Sequence, residues 1–305
     1  MKIAITTSSF AKFSEEPLDL LRKAGIGYVL NPHGRKLTED ETIELLQGCV
    51  AVAAGTEPLT ARVMDALPEL KIISRCGTGM DNVDMSAAKE RGIAVRNTPD
   101  GPTQAVVELT LGLALDLMRQ VTRMDRELRS GVWRKRMGNL LTGKRLGIIG
   151  FGRIGRAVAD AFAPLGVEVA FNDPVATCTD FRCMPVEELL GWADILSLHC
   201  SRAGGECSYY TEEHLRAMKR GSWVLNVARG GIIDEQALYN VLADGHLAGA
   251  AIDVFEKEPY TGPLATLDNV ILTPHIGSYA MEARIRMETD TIANLIDALS
   301  AAQKG

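Results

Sequence analysis

The sequence has no apolar run long enough to cross a membrane, and its first residues lack the layout of a signal peptide. It also lacks an excess of positive charge, because 33 Lys and Arg residues stand against 39 Asp and Glu residues and the net charge is −6. This balance argues against a nucleic-acid surface, and the cluster of Arg134, Lys135 and Arg136 is too small to change it. We therefore expect a cytoplasmic protein that binds neither membranes nor nucleic acid.

Cysteine is scarce and is not arranged for a metal or a disulfide framework. None of the six cysteines forms a Cys-x-x-Cys pair, and several lie in apolar segments. We expect reduced thiols and no metal site. The cysteines are Cys49, Cys76, Cys178, Cys183, Cys200 and Cys207.

The chain is long enough for two domains, since it has 305 residues of which 46% are hydrophobic. Short apolar segments alternate with helical patterns, which predicts α/β domains with parallel sheets. The segment 97–102 holds two prolines, a glycine and an aspartate, and we interpret it as a hinge. The last predicted helix, 281–302, has no strand after it and can return to the first domain. The predicted domains are 1–98 with 279–305, and 99–278.

A glycine motif follows the apolar segment 145–149, which we predict to be a buried strand. Gly150 would let the chain turn off the strand, Gly152 would let phosphate oxygens approach the backbone, and Gly155 would let the next helix pack closely. Free amides at the start of that helix favour a pyrophosphate. Three glycines among 29 can fall at this spacing by chance. The strand before the motif and the helical pattern after it favour dinucleotide binding.

Asp173 follows the last glycine of the motif by 18 residues and comes directly after a second predicted strand, 168–172. A carboxylate at that position can accept hydrogen bonds from both ribose hydroxyls and would repel a 2′-phosphate. Pro174 and Val175 follow it, so no adjacent arginine offers a phosphate site. The motif therefore predicts NAD rather than NADP.

Three charged residues come just after predicted strands of the second half: Arg229, Glu258 and His275. Ligands of open α/β sheets bind outside the carboxyl ends of the strands, so these side chains could reach one cleft. A histidine can exchange a proton near neutral pH, a carboxylate can orient it, and an arginine can clamp a substrate carboxylate. Each residue alone has a plainer interpretation as a loop residue, a solvated charge or a turn contact. Their combination with the glycine motif predicts hydride transfer on a 2-hydroxy or 2-oxo acid.

A second glycine-containing loop follows a strand of the first domain. Backbone amides of Gly77, Thr78 and Gly79 can form an anion nest suited to a substrate carboxylate. An ordinary turn between a strand and a helix explains the same residues equally well.

These motifs in this order resemble the D-isomer-specific 2-hydroxyacid dehydrogenase family. The resemblance covers nearly the whole chain, and its segments 75–84 and 131–144 are similar to the phosphoglycerate dehydrogenase branch. It implies two Rossmann-like domains with parallel sheets, in which an NAD-binding domain is inserted into a flavodoxin-like substrate domain. It also implies a homodimer that forms through the nucleotide domains.

The resemblance assigns roles to individual residues. His275 would be the acid–base, Glu258 its partner and Arg229 the substrate anchor, and Asp253 would bond the NAD carboxamide. Arg75, Gly77, Thr78 and Gly79 would bind the substrate. The residues implied at NAD are Thr78, Gly150, Gly152, Arg153, Ile154, Gly155, Asp173, Cys200, Val227, Ala228, Arg229, Asp253, His275, Gly277 and Ser278.

Two departures from the family pattern leave the substrate open. The loop after Leu198 lacks the proline that many members have, and Glu57 stands near a position where phosphoglycerate enzymes commonly carry a basic residue. Glu57 would repel a phosphate. The substrate could be 3-phosphoglycerate, hydroxypyruvate or glyoxylate. A binding protein that senses NAD, similar to the family's corepressors, is an alternative of another class.

Overall fold

The computed structural model describes residues 2–176, 180–201 and 209–302. Its chain divides into two compact units, a first unit formed by Met1–Pro102 with Ser278–Gly305 and a second unit formed by Thr103–Gly277. No helix in the described part of the chain is long and apolar enough to span a membrane. Cys178, Cys207 and most of the loop after Leu198 lie outside the described residues.

The first unit contains a five-stranded parallel sheet in the order β2-β1-β3-β4-β5. This order is typical of flavodoxin-like folds, in which the chain reverses its direction of strand addition between β1 and β3. The strands are β1 (Lys2–Ile5), β2 (Gly27–Leu30), β3 (Ala51–Ala54), β4 (Ile72–Arg75) and β5 (Ala94–Asn97).

Four helices connect these strands, and side-chain caps fix where three of them begin. Thr38 and Glu41 form a reciprocal capping box at the start of the second helix. Thr60 and Asp84 accept hydrogen bonds from backbone amides at the starts of the next two. The helices are α1 (Glu16–Lys23), α2 (Glu39–Leu46), α3 (Ala61–Asp65) and α4 (Met85–Glu90).

The second unit contains a seven-stranded parallel sheet in the order β12-β11-β10-β9-β6-β7-β8. Counted from the first strand of this unit, the order is 3-2-1-4-5-6-7, which contains the Rossmann order and places the reversal between β6 and β9. The strands are β6 (Arg145–Ile149), β7 (Glu168–Asn172), β8 (Arg182–Cys183), β9 (Ile195–Leu198), β10 (Trp223–Asn226), β11 (Gly249–Ile252) and β12 (Val270–Leu272).

Helices cover both faces of the second sheet. One face packs through Ile148 against buried side chains such as Leu113 and Phe162, and the other packs through Ile149 against Leu189 and Leu238. Such double burial is what makes parallel strands nearly continuous in apolar residues. The helices are α5 (Thr103–Arg119), α6 (Val121–Arg129), α7 (Arg153–Phe162), α8 (Val186–Trp192), α9 (Glu212–Ala217) and α10 (Glu235–Ala243), with short 3-10 turns at Ala163–Leu165 and Pro263–Thr266.

The last helix, α11 (Met281–Ala302), belongs to the first unit. Its Ile292 and Leu295 pack with Leu21 of α1 and with Ile3 and Ile5 of β1 in one buried cluster. The α/β architecture with two parallel sheets is therefore confirmed. The division at Pro102 and Gly277 differs by a few residues from the predicted domain boundaries after residues 98 and 278.

A buried ion pair ties α11 to the loop that follows β1. Arg284 Nη2 lies 3.0 Å from Glu288 Oε1, and the two side chains are only 7% and 2% exposed. The other oxygen of Glu288 accepts a hydrogen bond of 2.9 Å from the Ala11 amide, and Arg284 also donates to Ser9 Oγ at 3.1 Å. Burial raises the pKa of Glu288, against the opposing effects of the Ala11 amide and Arg284.

We predict that Glu288→Ala lowers the free energy of unfolding of the first unit by about 3–5 kcal/mol, because it leaves Arg284 buried without its partner. Glu282→Ala, on the exposed side of the same helix, serves as the control and should stay within about 0.5 kcal/mol of the original protein. Urea unfolding measures both variants. A loss below about 1 kcal/mol for Glu288→Ala would contradict a stabilising role for this pair.

Candidate active site

The three motif glycines lie at the carboxyl end of β6, and each is required for a different reason. Gly150 has φ +87°, and a Cβ there would lie 2.6 Å from the Cys200 amide nitrogen. A Cβ on Gly155 would overlap the carbonyl oxygen of Gly150. A Cβ on Gly152 would meet no atom within 4 Å. Gly150 and Gly155 therefore allow close backbone contacts within the protein, whereas Gly152 leaves open space.

The open space lies at the start of α7. Gly152 is the N-cap of this helix, and no side chain caps its first amides. Orphan amides at a helix N-terminus attract negative charge, and the helix dipole adds to the attraction. Arg153 and Ile154 form the first turn. These residues fit the pyrophosphate of a dinucleotide, because the space that a side chain at Gly152 would fill is empty at the start of a helix that no side chain caps.

Asp173 lies beside the glycine loop and is held by backbone amides. It accepts a hydrogen bond of 2.7 Å from the Phe151 amide and bonds of 2.8 Å from the amides of Val175 and Ala176. Partial burial acts to raise the pKa of Asp173, but the three amide bonds together, helped by the charge of Arg156, hold it below its usual value. The side chain is therefore an ionised acceptor suited to ribose hydroxyls.

Arg156 is a neighbour of this site that the sequence analysis missed. Its guanidinium lies 4.9 Å from the centre of the Phe151 ring, and its charge acts on Asp173. The sequence analysis considered only the residues directly after Asp173 and found no arginine there. Arg156 lies one turn into α7, so helical spacing from the glycine motif was the signal that could have found it.

The other residues predicted near the cofactor follow neighbouring strands of the same sheet. Cys200 follows β9, Val227 and Ala228 follow β10, and Asp253 follows β11. Because parallel strands share one carboxyl edge, these residues lie along the edge that also holds Gly150. Burial raises the pKa of the Cys200 thiol. Thr78 and Ser278, which were also predicted to line the cofactor, belong to the first unit.

Asp253 is fully buried and organises the segment that carries His275. Its carboxylate accepts hydrogen bonds from Thr273 Oγ1 at 2.6 Å and from the amides of Ile276 and Gly277 at 2.8 Å each. Burial raises the pKa of Asp253 against these bonds. The sequence analysis assigned this carboxylate to the NAD carboxamide, whereas the structure also gives it three protein donors.

His275 and Glu258 form a hydrogen-bonded pair. Nδ1 of His275 lies 2.9 Å from Glu258 Oε2 and 3.1 Å from Oε1, and Oε1 also accepts from the Phe255 amide at 3.2 Å. The pairing places a proton on Nδ1, which donates it in a hydrogen bond to Glu258, and leaves Nε2 as the nitrogen that can exchange a proton. His275 has φ +54°, an uncommon conformation for a residue with a side chain that is often found at functional sites.

Arg229 lies on a loop that is locked against the segment carrying Glu258. A Cβ on Gly230 would overlap the carbonyl oxygen of Phe255, so only glycine allows these two loops to meet. Asn226 stabilises the loop that carries Arg229. Its Nδ2 donates to the Arg229 carbonyl at 3.1 Å, and its Oδ1 accepts from the Ala228 amide at 3.1 Å. The sequence analysis did not identify Asn226 or Gly230 as positioning residues.

The predicted substrate loop of the first unit has one amide already engaged. Gly77 has φ +141°, and its amide donates to Thr98 Oγ1 at 2.8 Å. The Arg75 guanidinium lies against this glycine, because a Cβ on Gly77 would be 2.5 Å from Nη1. Within the part of the chain that the structure describes, the amides of Thr78 and Gly79 have no hydrogen-bond acceptor. They are the available donors for an anion at this loop.

The chain is similar to proteins of one known family. Residues 111–277, which are more than half of the chain, match the model of the D-isomer specific 2-hydroxyacid dehydrogenase, NAD binding domain. The chain belongs to this family. The family, the oxidoreductase class and NAD as the cofactor are therefore confirmed.

Individual relatives carry different names. A hydroxypyruvate reductase of Thermotoga maritima is 38% identical over 272 residues, which cover 86% of this chain and 89% of the relative. A D-3-phosphoglycerate dehydrogenase of Pongo abelii is 36% identical over 300 residues, which cover 91% of this chain but only 56% of the relative. The TT0316 protein of Thermus thermophilus has a solved structure that superposes with a TM-score of 0.92 at 36% identity, covering 99% and 97% of the two chains. These names do not determine the substrate.

We predict that Gly152→Ala keeps the protein folded but weakens NADH binding at least tenfold, or about 1.4 kcal/mol. The backbone at this position is extended and a Cβ meets no protein atom, so only the approach of the pyrophosphate is obstructed. Titration of NADH fluorescence measures the affinity. Gly191→Ala in α8, where a Cβ also meets nothing within 4 Å, is the control and should bind normally. Normal NADH affinity in Gly152→Ala would show that the pyrophosphate binds elsewhere.

Proposed function

We propose that this protein interconverts a D-2-hydroxy acid and the corresponding 2-oxo acid, with His275 as the acid–base. The supporting observation is the bond from His275 Nδ1 to Glu258 at 2.9 Å, on a segment that Asp253 anchors to the strand edge of the glycine motif. An oriented imidazole beside a dinucleotide site is the arrangement that hydride transfer at an alcohol carbon requires.

In the oxidative direction, His275 Nε2 takes the proton of the C2 hydroxyl while the bond between C2 and its hydrogen breaks and the C2 carbonyl forms. NAD held by Gly152, Arg153 and Asp173 would supply the acceptor for the hydride that leaves C2. The imidazole gains a positive charge in this step, and Glu258 stabilises that charge from the Nδ1 side. In the reductive direction, His275 returns the proton to the carbonyl oxygen.

In the second unit, Arg229 is assigned to the substrate carboxylate, and in the first unit the amides of Thr78 and Gly79 are assigned as donors to an anion. Guanidinium groups bind carboxylates in a planar, bidentate manner, and backbone amides complete such a site. Asn226 and Gly230 support the loop of Arg229. Gly77 and Arg75 act by shaping the loop that presents the amides, since the Gly77 amide is bonded to Thr98.

The substrate candidates are 3-phosphoglycerate, hydroxypyruvate and glyoxylate. Relatives named hydroxypyruvate reductase and D-3-phosphoglycerate dehydrogenase are similar to this chain at 38% and 36% identity, so neither name is favoured by identity alone. All three compounds, in their hydroxy or oxo forms, carry the carboxylate and the C2 oxygen that the proposed residues recognise.

We also propose a homodimer that forms through the second unit. Residues 115–140 expose several large apolar side chains, among which Trp133 is 81% and Met137 is 91% exposed. Apolar side chains clustered in this way on a surface mark a contact with another chain. The remaining members of the cluster are Leu115, Val121, Leu128, Val132 and Leu140.

We expect His275→Ala to reduce kcat by about 10²–10⁴-fold, because the hydroxyl proton loses its acceptor. The affinity for NADH should stay nearly unchanged. A panel of 2-oxo acids followed by NADH absorbance measures turnover, and NADH fluorescence measures binding. His33→Ala, an exposed histidine of the first unit, is the matched control. Turnover by His275→Ala near the original rate would exclude His275 as the acid–base.

Trp133→Asp should convert the dimer into a monomer, because it places a charge within the proposed apolar contact. Analytical ultracentrifugation of the original protein and the variant measures the mass. Met85→Asp, which changes an exposed methionine of the first unit, should not alter the association. A monomeric original protein at micromolar concentration, or a variant that remains dimeric, would contradict the proposed interface.

A further inference from the structure

The first unit has its own ligand crevice by the rule that governs open parallel sheets. The reversal of strand order lies between β1 and β3, so the crevice is located where these two strands end. The residues at those ends are Thr6 and Thr7 after β1 and Gly55 after β3. The proposed substrate loop, which follows β4, lies on the same edge.

The crevice is filled by the side chain of Glu57. Only 1% of this residue is exposed. Its Oε1 accepts a hydrogen bond of 2.5 Å from Thr6 Oγ1 and one of 3.2 Å from the Gly55 amide. A Cβ on Gly55 would lie 3.0 Å from Glu57 Oε2 and 3.1 Å from Thr7 Cα. A side chain at position 55 would therefore be crowded by Glu57 and by the backbone of Thr7.

Hydrogen bonds connect Glu57 to the substrate loop. Asn82 Nδ2 donates to the Glu57 carbonyl at 2.7 Å and to the Gly55 carbonyl at 3.3 Å. The Oδ1 of the same amide accepts from Arg75 Nε at 3.4 Å, and the Arg75 guanidinium lies against Gly77. Burial raises the pKa of Glu57, while Thr6, the nearby amides and the charge of Arg75 lower it. The acid and the loop thus belong to one network.

We propose that Glu57 is a specificity-determining residue that excludes phosphorylated acids, so that the substrate is an unphosphorylated 2-oxo or 2-hydroxy acid with a short, uncharged side chain. The buried carboxylate offsets the charge of Arg75, and Asn82 joins it to the loop whose amides are proposed to bind the substrate carboxylate. In this unit, a single substrate carboxylate is served by the amides of Thr78 and Gly79. A phosphate would bring two further negative charges beside an acid in a region of low dielectric constant. This inference rests on the proposed function.

Hydroxypyruvate and 3-phosphohydroxypyruvate provide the test, because they differ only by the phosphate. With NADH as the reductant, we expect the original protein to favour hydroxypyruvate by at least about 100-fold in kcat/KM. Glu57→Gln keeps the size and the hydrogen-bond acceptor but removes the charge. It should reduce this preference at least about tenfold, mainly by lowering KM for the phosphorylated acid. Glu90→Gln, an exposed acid of the same unit, should leave the ratio unchanged.

The outcomes separate the inference from the function on which it rests. Equal or better use of 3-phosphohydroxypyruvate by the original protein would overturn the inference, and so would an unchanged ratio in folded Glu57→Gln. If that variant does not fold, the ratio of the original protein decides, together with inorganic phosphate as a competitor of hydroxypyruvate. Competition by millimolar phosphate would contradict the exclusion. Failure of the proposed function gives a different result, since no 2-oxo acid would then be reduced.

Discussion

The candidate active site depends on backbone segments that approach each other too closely for a Cβ atom to fit. Gly150 meets the amide of Cys200 where β6 and β9 end, Gly155 meets the carbonyl of Gly150, and Gly230 meets the carbonyl of Phe255. These contacts fix the spacing of the loops from which Asp173, Arg229 and Glu258 project. Because protein interiors are closely packed, any side chain at these glycines would move a whole loop and the proposed catalytic groups with it.

Two carboxylates hold His275 in different ways. Asp253 is fully buried. It accepts hydrogen bonds from the Thr273 hydroxyl before the histidine and from the backbone amides of Ile276 and Gly277 after it, which stabilises the uncommon φ of +54° at His275. Glu258 is partly exposed and binds the ring itself. Asp253 can remain buried because its charge is bonded to amides. Glu258 contacts a ring whose charge would change during the reaction, and its exposure to water helps it to accommodate that change. The backbone around His275 is therefore held by Asp253, and its ring is oriented by Glu258.

The elements that the sequence predicted well are those with a strong local signal. Strands buried on both faces are nearly continuous in apolar residues, and special glycines mark sharp turns, so β6 and the motif after it could be recognised. Helix α6 was not predicted. Val121, Met124 and Leu128 recur at helical spacing, but none of the residues of this helix is buried, so its apolar pattern is short and does not belong to a core. The bond from the Gly77 amide to Thr98 and the nearness of Arg156 to Asp173 depend on tertiary contacts. No pattern within a short window contains that information.

Glu57 shows most clearly what a sequence leaves undetermined. As a residue type it is mostly found on surfaces, and the sequence analysis treated it as a charge that meets the substrate directly. The structure buries it against Thr6, which lies 51 residues away in the chain, and connects it to Arg75 through Asn82. The carboxylate then acts as part of a network whose net charge is small, and not as an isolated negative group. A substrate that carries one carboxylate suits such a network, because the proposed donors, the amides of Thr78 and Gly79, can bind one carboxylate without a further cation. Discrimination between family members would follow from this charge balance at the strand ends of the first unit, while the residues proposed for the chemistry in the second unit stay the same.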